Sequence, residues 1–286
     1  MYTVYGDESH EGKAERVFAV AGLFGSQGDW DTTEAAWLAR TDGRTFHGSD
    51  CECDHGDFAG TDHQDNQKLY KDLTQIIAQS KLCGFGAGID VAGFRAFFPD
   101  SLEESPYHKC LVEVLTHFGE LAYISIPQDK ITFTFDHRIE TDYSASQLYR
   151  WMIDQPDWKL SPFYHDEVSF ASRRSLGIQM ADLIARETMK ELDRRVGPSK
   201  RNMRKSMLAL VEKQYRFSFK YFMREYFEDF KRKFPEVEAA AKLNMDACGP
   251  WLSKMGLTDC WPSRIRYATY VEAQERLAKL DHEAKQ

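Results

Sequence analysis
Short β-prone runs alternate with helical stretches through the first two-thirds of the chain, and three of the runs lead into an aspartate. Tyr2 to Tyr5 runs into Gly6-Asp7-Glu8-Ser9, Leu82 to Ile89 into Asp90, and Lys130 to Phe135 into Asp136. Val17 to Phe24 is a further apolar strand and Glu167 to Phe170 a weak one. Between them the spacing predicts helices over 32–39, 67–80, 106–123, 144–155 and 175–195. Leu69, Leu73, Ile76 and Ile77 share one helical face, and Gly197-Pro198 stops the last of these helices. Strands and helices in alternation imply a layered α/β fold with a partly parallel sheet. Residues 41–65, rich in Asp, Gly and His, read as a long polar loop or insertion. Beyond Pro198 aromatic and basic residues interleave, and mostly helical structure is expected, with a final helix over 264–284. The expected organisation is an α/β core over 1–197 and a helical extension over 198–286.

At 286 residues with 42% hydrophobic side chains, the chain can bury a sizeable core. No apolar run approaches the roughly 20 residues that span a bilayer. MYTVYGDES has neither a basic start nor an apolar signal core, so a cytoplasmic protein is expected. The six scattered cysteines then read as free thiols. Charge is uneven. Residues 194–233 carry 13 Lys or Arg against 4 Asp or Glu, a balance of +9, so a net charge of −8 leaves −17 for the rest. An acidic body with one basic segment does not suit general nucleic-acid coating, but it can hold a phosphate backbone against one face.

Ligands of open α/β sheets gather outside the carboxyl ends of the strands, where acids from neighbouring parallel strands converge. A further acid lies in Gln179-Met180-Ala181-Asp182, where Gln179 and Asp182 are three apart on one helical face. Asp182 adjoins the apolar stripe of Leu176, Met180, Leu183 and Ile184, a costly place for an acid without a role. Crowded carboxylates resist ionisation, and a hard divalent cation removes that penalty. Two such ions can activate water and stabilise a leaving oxygen in phosphodiester cleavage. Against this stands an ordinary reading, since acids at strand ends also serve as turn residues and helix caps. Asp90 is the weakest candidate of the set. Asp7-Glu8 is the strongest, because a turn does not need paired acids.

Other constellations carry less. His47, Cys51, Cys53, His55 and His63 share one loop, but their spacing matches no zinc finger. No Gly-Lys-Ser/Thr phosphate loop follows the glycines at 84, 86 and 88, and no serine-nucleophile elbow is present. In the basic segment Lys200, Arg201, Arg204 and Lys205 are the most clustered contacts for a nucleic-acid backbone. The alternative there is a helix pair with an aromatic core and a solvated basic face.

Asp7-Glu8-Ser9, Phe46-His47, Asp136 with Arg138, and Ser175 through Ala185 (SLGIQMADLIA) together resemble the domain-of-unknown-function 3800 family over roughly residues 1 to 190. That family has an Asp-Glu-Ser motif near its N-terminus and a Gln-x-x-Asp motif on a late helix. The sequence departs from it at His10, where the family commonly has glycine. The resemblance implies a ribonuclease H-like mixed sheet flanked by helices. It further implies Mg2+ or Mn2+ held by Asp7, Asp136 and Asp182, with Glu8 binding an ion or orienting the attacking water. Gln179 would support the acids from behind or position substrate, His47 would carry a proton or contact a phosphate, and Arg138 would position substrate. The expected function is a metal-dependent nuclease acting on DNA or RNA. Two alternatives stand beside it: a non-catalytic module of the same fold that binds nucleic acid or a protein partner, and a metallohydrolase of a small phosphorylated molecule. Self-association stays open, and no membrane partner is expected.

Overall fold
The computed structural model describes residues 1–11, 15–99, 105–138, 142–155, 158–198, 200–213, 215–233, 235, 272, 275–279 and 281–282. Its centre is a mixed six-stranded sheet flanked by helices. In chain order the elements begin with β1 (Tyr2–His10), β2 (Val17–Ser26), α1 (Gln27–Thr41), α2 (Gly48–Cys53), α3 (His63–Gln79) and β3 (Cys83–Asp90). They continue with α4 (Val91–Phe97), α5 (Ser105–Ser125), β4 (Ile131–Asp136), α6 (Asp142–Ile153) and β5 (Ser169–Ala171). α7 (Leu176–Val196), α8 (Lys205–Val211) and β6 (Phe217–Phe222) complete the series. The strand order is β5-β4-β1-β2-β3-β6. β1, β2 and β3 pair antiparallel in succession, while β4 runs parallel to β1, β5 to β4, and β6 to β3.

The sheet separates two cores, because side chains alternate between faces along each strand. Val4, Val20, Phe85, Phe133 and Phe135 pack on one face with Leu111, Leu115 and Phe118 of α5 and Leu148 of α6. Ala21 and Leu23 pack on the other with Trp30 and Trp37 of α1, Leu69 and Leu73 of α3, and Met180 and Ile184 of α7. α7 lies against β1, β2 and β3. It approaches so closely that a Cβ on Gly177 would meet the Tyr5 ring at 2.4 Å. Ser26 caps α1 in a reciprocal capping box with Asp29, so that helix starts five residues before its expected position.

Several sequence expectations need correction. β1 does not end at Tyr5. Antiparallel pairing with β2 carries it through Asp7, Glu8 and Ser9 to His10, so the paired acids lie inside a strand. Residues 41–65 are not an open loop. They hold α2 and a 3-10 turn over Gly56–Phe58, with Phe46, Cys51 and Phe58 buried in the second core. The stretch after Pro198, expected to be mostly helical, also supplies a strand: β6 extends the core sheet through pairing from Gly84↔Phe217 to Ile89↔Phe222. β6 and α8 therefore pack as part of the core. The final helix expected over 264–284 lies mostly outside the described residues, of which 275–279 are helical. Among the described residues no helix is long and apolar enough to cross a membrane.

Candidate carboxylate site
Asp7 and Asp136 meet because β1 and β4 run parallel and in register up to Gly6↔Phe135. The next residue on each strand is the aspartate. Neighbouring strands lie about 4.8 Å apart, so the two carboxylates start side by side. Tyr5 and Asp7 share a strand face, and Tyr5 packs into the α7-side core. Phe135 packs into the opposite core, which turns Asp136 toward α7 as well. Asp182 reaches the same place from the second turn of α7. The three side chains are 6%, 7% and 6% exposed.

The electrostatics record this convergence. Burial raises the Asp7 carboxyl well above the usual range, and the nearby charges of Asp182, Glu8 and Asp136 raise it further. The Glu8 backbone N–H, 2.7 Å from Asp7 Oδ1, opposes them. Burial also raises Asp136, partly offset by Arg173 and Arg138. It raises Asp182 too, offset by His47, the Gly48 N–H, Arg186 and Arg173. Three acids thus hold unfavourable negative charge on one buried spot, and their donors are all hard oxygens suited to magnesium or manganese. Among the described residues no three His, Cys, Asp or Glu side chains are already gathered as a metal ligand set. The carboxylates would therefore have to turn inward to share an ion.

Glu8, one residue on, points to the opposite strand face. Arg138 Nε lies 2.5 Å from Glu8 Oε1. Burial nevertheless outweighs the guanidinium, and the Glu8 carboxyl is pushed up to about 7. Glu8 thus stands across the strand from the other three acids, and Arg138, one-third exposed, is engaged by it. Asp90 is not part of the site, because its carboxylate accepts the Gly93 N–H at 2.9 Å and caps α4.

Gln179 is a clamp. Its Oε1 accepts the Phe46 N–H at 2.9 Å and the Trp37 indole N–H at 3.3 Å, and its Nε2 donates to the Arg174 carbonyl at 3.2 Å. Both ends are thus committed to protein, so Gln179 acts on the site through the residues that it holds. Asp182 Oδ2 accepts the Gly48 N–H at 2.5 Å. Gln179 and Asp182 therefore hold residues 46 and 48 in place, and the residue between them is His47. His47 acts on both Asp182 and Asp136, which places it beside the acids. Its Nδ1 also lies 3.1 Å from Asp50 and 3.2 Å from Ser49 Oγ.

Arg173 was missed in the sequence. It acts on both Asp136 and Asp182, and the only local signal was its place just before the Gln-x-x-Asp helix. The basic cluster is less available than its sequence suggests. Arg201 pairs with Asp193 at 2.6 Å. Arg204 pairs with Glu52, lies 3.2 Å from Glu187, and stacks over the Tyr70 ring at 5.2 Å. Lys200 and Lys205 make no ion pair with a described residue.

Comparison of the chain with protein-family models, curated proteins and solved structures returned no match.

Proposed function
We propose that the protein is a divalent-metal-dependent phosphodiesterase that acts on nucleic acid, built on a ribonuclease H-like core. The observation that carries the reading is the delivery of Asp7, Asp136 and Asp182 by two parallel strands and a helix to one buried place. The order β5-β4-β1-β2-β3, with an antiparallel β1-β2-β3 and β4 and β5 parallel to β1, supports the fold assignment. The resemblance to the domain-of-unknown-function 3800 family points the same way.

In this reading Asp7, Asp136 and Asp182 would hold Mg2+ or Mn2+, which supplies charge stabilisation at the scissile phosphate and lowers the pKa of water. The chain's own residues do the rest. The Gly48 N–H fixes Oδ2 of Asp182, and no described residue donates a hydrogen bond to Oδ1. His47, one-third exposed at the rim, can donate a hydrogen bond to a phosphate oxygen or hand a proton to the leaving oxygen. Arg173 lends positive charge beside two of the acids. Glu8, set by Arg138 on the far strand face, keeps a carboxyl poised near neutrality within reach of Asp136's field.

The test is cleavage of labelled DNA and RNA oligonucleotides with magnesium or manganese. Wild type should cut at least one of them. Asp136→Asn should abolish cleavage and leave binding within about twofold, since it removes a metal ligand and no phosphate contact. A second reading, a binding module of the same fold without turnover, is favoured by the ungathered state of the three carboxylates. It takes precedence if no substrate is cut with either metal while oligonucleotide binding persists.

A further inference from the structure
A cavity of about 690 Å³ opens between α2, α3, α7 and the start of α8. Its size falls in the range of small-ligand sites, roughly 300–1,000 Å³. Lys71, Arg186, Lys190, Arg204 and Lys205 line it, with Glu52 as the lining carboxylate. Glu52 is already occupied by Arg186, at 2.7 Å, and by Arg204. Arg204 also faces the buried Glu187. Five cations thus answer two carboxylates, which leaves three positive charges uncompensated. They belong to Lys71, Lys190 and Lys205, which make no ion pair with a described residue. Lysine is a point-charge donor that suits a phosphate reached from several sides.

The position of the cavity says what kind of phosphate. Asp182, Arg186 and Lys190 follow one another at intervals of four on α7. At 1.5 Å per residue, Lys190 lies about 12 Å along the helix from Asp182. A stacked strand advances about 3.4 Å per nucleotide, so the gap is roughly three to four nucleotides. We infer that this lysine-lined cavity is a phosphate subsite that anchors the backbone of the bound strand three to four nucleotides from the carboxylate site. The anchoring role rests on the nucleic-acid reading above; the anion site itself does not. Lys190 agrees with it. The side chain is half-buried, and burial together with the nearby charges of Arg186 and Arg204 holds its amine below the usual lysine range, against the opposing charges of Glu52 and Asp193. An arriving phosphate relieves that crowding.

The experiment uses the full chain in EDTA at low salt, so the carboxylate site contributes no metal. Inorganic pyrophosphate is titrated by calorimetry, and a single-stranded 12-mer by fluorescence anisotropy at several salt concentrations. Lys71→Gln/Lys190→Gln should weaken pyrophosphate at least tenfold. It should also lower the salt slope for the 12-mer by roughly 1.4, about 0.7 for each neutralised single-strand contact. Lys71→Gln/Lys205→Gln changes two exposed side chains only and should act in the same direction, which guards against misfolding of the first variant. Unchanged pyrophosphate affinity in both variants overturns the subsite. Lost pyrophosphate binding with an unchanged 12-mer overturns the strand anchor and leaves a site for a free phosphate anion. If the 12-mer depends on these lysines but wild type cuts nothing with metal, the subsite stands and the phosphodiesterase reading falls.

Discussion

Gln179 offers the sharpest test of how the site is assembled. Its single carbonyl oxygen satisfies two buried donors, the Phe46 N–H and the Trp37 indole N–H, on residues that are 1% and 0% exposed. Gln179→Ala leaves both donors without an acceptor, and a buried unsatisfied donor costs about 1–3 kcal/mol. The expected loss is about 2–6 kcal/mol, before any cavity contribution. Gln179→Met removes the acceptor and keeps the volume, so it separates hydrogen bonding from packing. At roughly 2–4 °C per kcal/mol, both variants should melt on the order of 10 °C below wild type. Chemical denaturation should report the same loss as a lower midpoint at unchanged slope. The same substitutions free residues 46–48 from α7, so magnesium or manganese should stabilise them less than wild type. Gln179→Met within about 0.5 kcal/mol of wild type would refute the clamp, since that is the scatter of substitutions that touch nothing important.

Gly177→Ala should separate α7 from β1, because the new Cβ meets the Tyr5 ring at 2.4 Å. Overpacking of this kind costs about 1–3 kcal/mol, and metal-induced stabilisation should shrink with it; an alanine variant that melts and responds like wild type argues against that contact. Asp7, Glu8, Asp136 and Asp182 all have raised carboxyl pKa values in the fold, Glu8 to about 7. The folded state therefore holds protons that the unfolded chain has released. Without metal, stability should fall as pH rises from the ordinary carboxylate range through about 7, and divalent ions should flatten that fall. Melting curves from pH 4 to 9 that rise toward alkali without metal would contradict it. Glu113 behaves oppositely: buried between Lys109 and Lys220, it is lowered to about 2, and its contribution is complete above the ordinary carboxylate range and lost only as pH falls toward that value. Glu113→Ala removes the buried carboxylate that Lys109 and Lys220 share and should cost about 3–5 kcal/mol in urea unfolding.

Much of this architecture is visible in local sequence. Val17–Ser26, Cys83–Asp90, Ile131–Asp136 and Leu176–Val196 fall within two residues of where apolar runs and the Gly197-Pro198 stop place them. The misses have physical causes. β1 looks finished at Gly6 because acids seldom continue a strand, yet pairing with β2 carries Asp7 and Glu8 along. α2 has too few apolar residues to show a period, and it is held by Phe46, Cys51 and Phe58 instead. In β6 the alternation of Phe217, Phe219 and Tyr221 was present, but the flanking basic residues suggested a helix. Of the site, Asp7 and Asp136 were legible as acids that follow apolar runs, and Asp182 as an acid beside the apolar stripe of its helix. The commitments of Arg138 to Glu8 and of Arg204 to Glu52 were not, since they join residues more than a hundred positions apart.

The chemistry proposed for the site requires that Asp7, Asp136 and Asp182 share a divalent cation. Anomalous diffraction from crystals soaked in manganese tests it directly. A manganese peak is expected between these three carboxylates, absent from Asp7→Asn crystals treated in the same way. Manganese bound elsewhere, with the three carboxylates still apart at saturating metal, would contradict it.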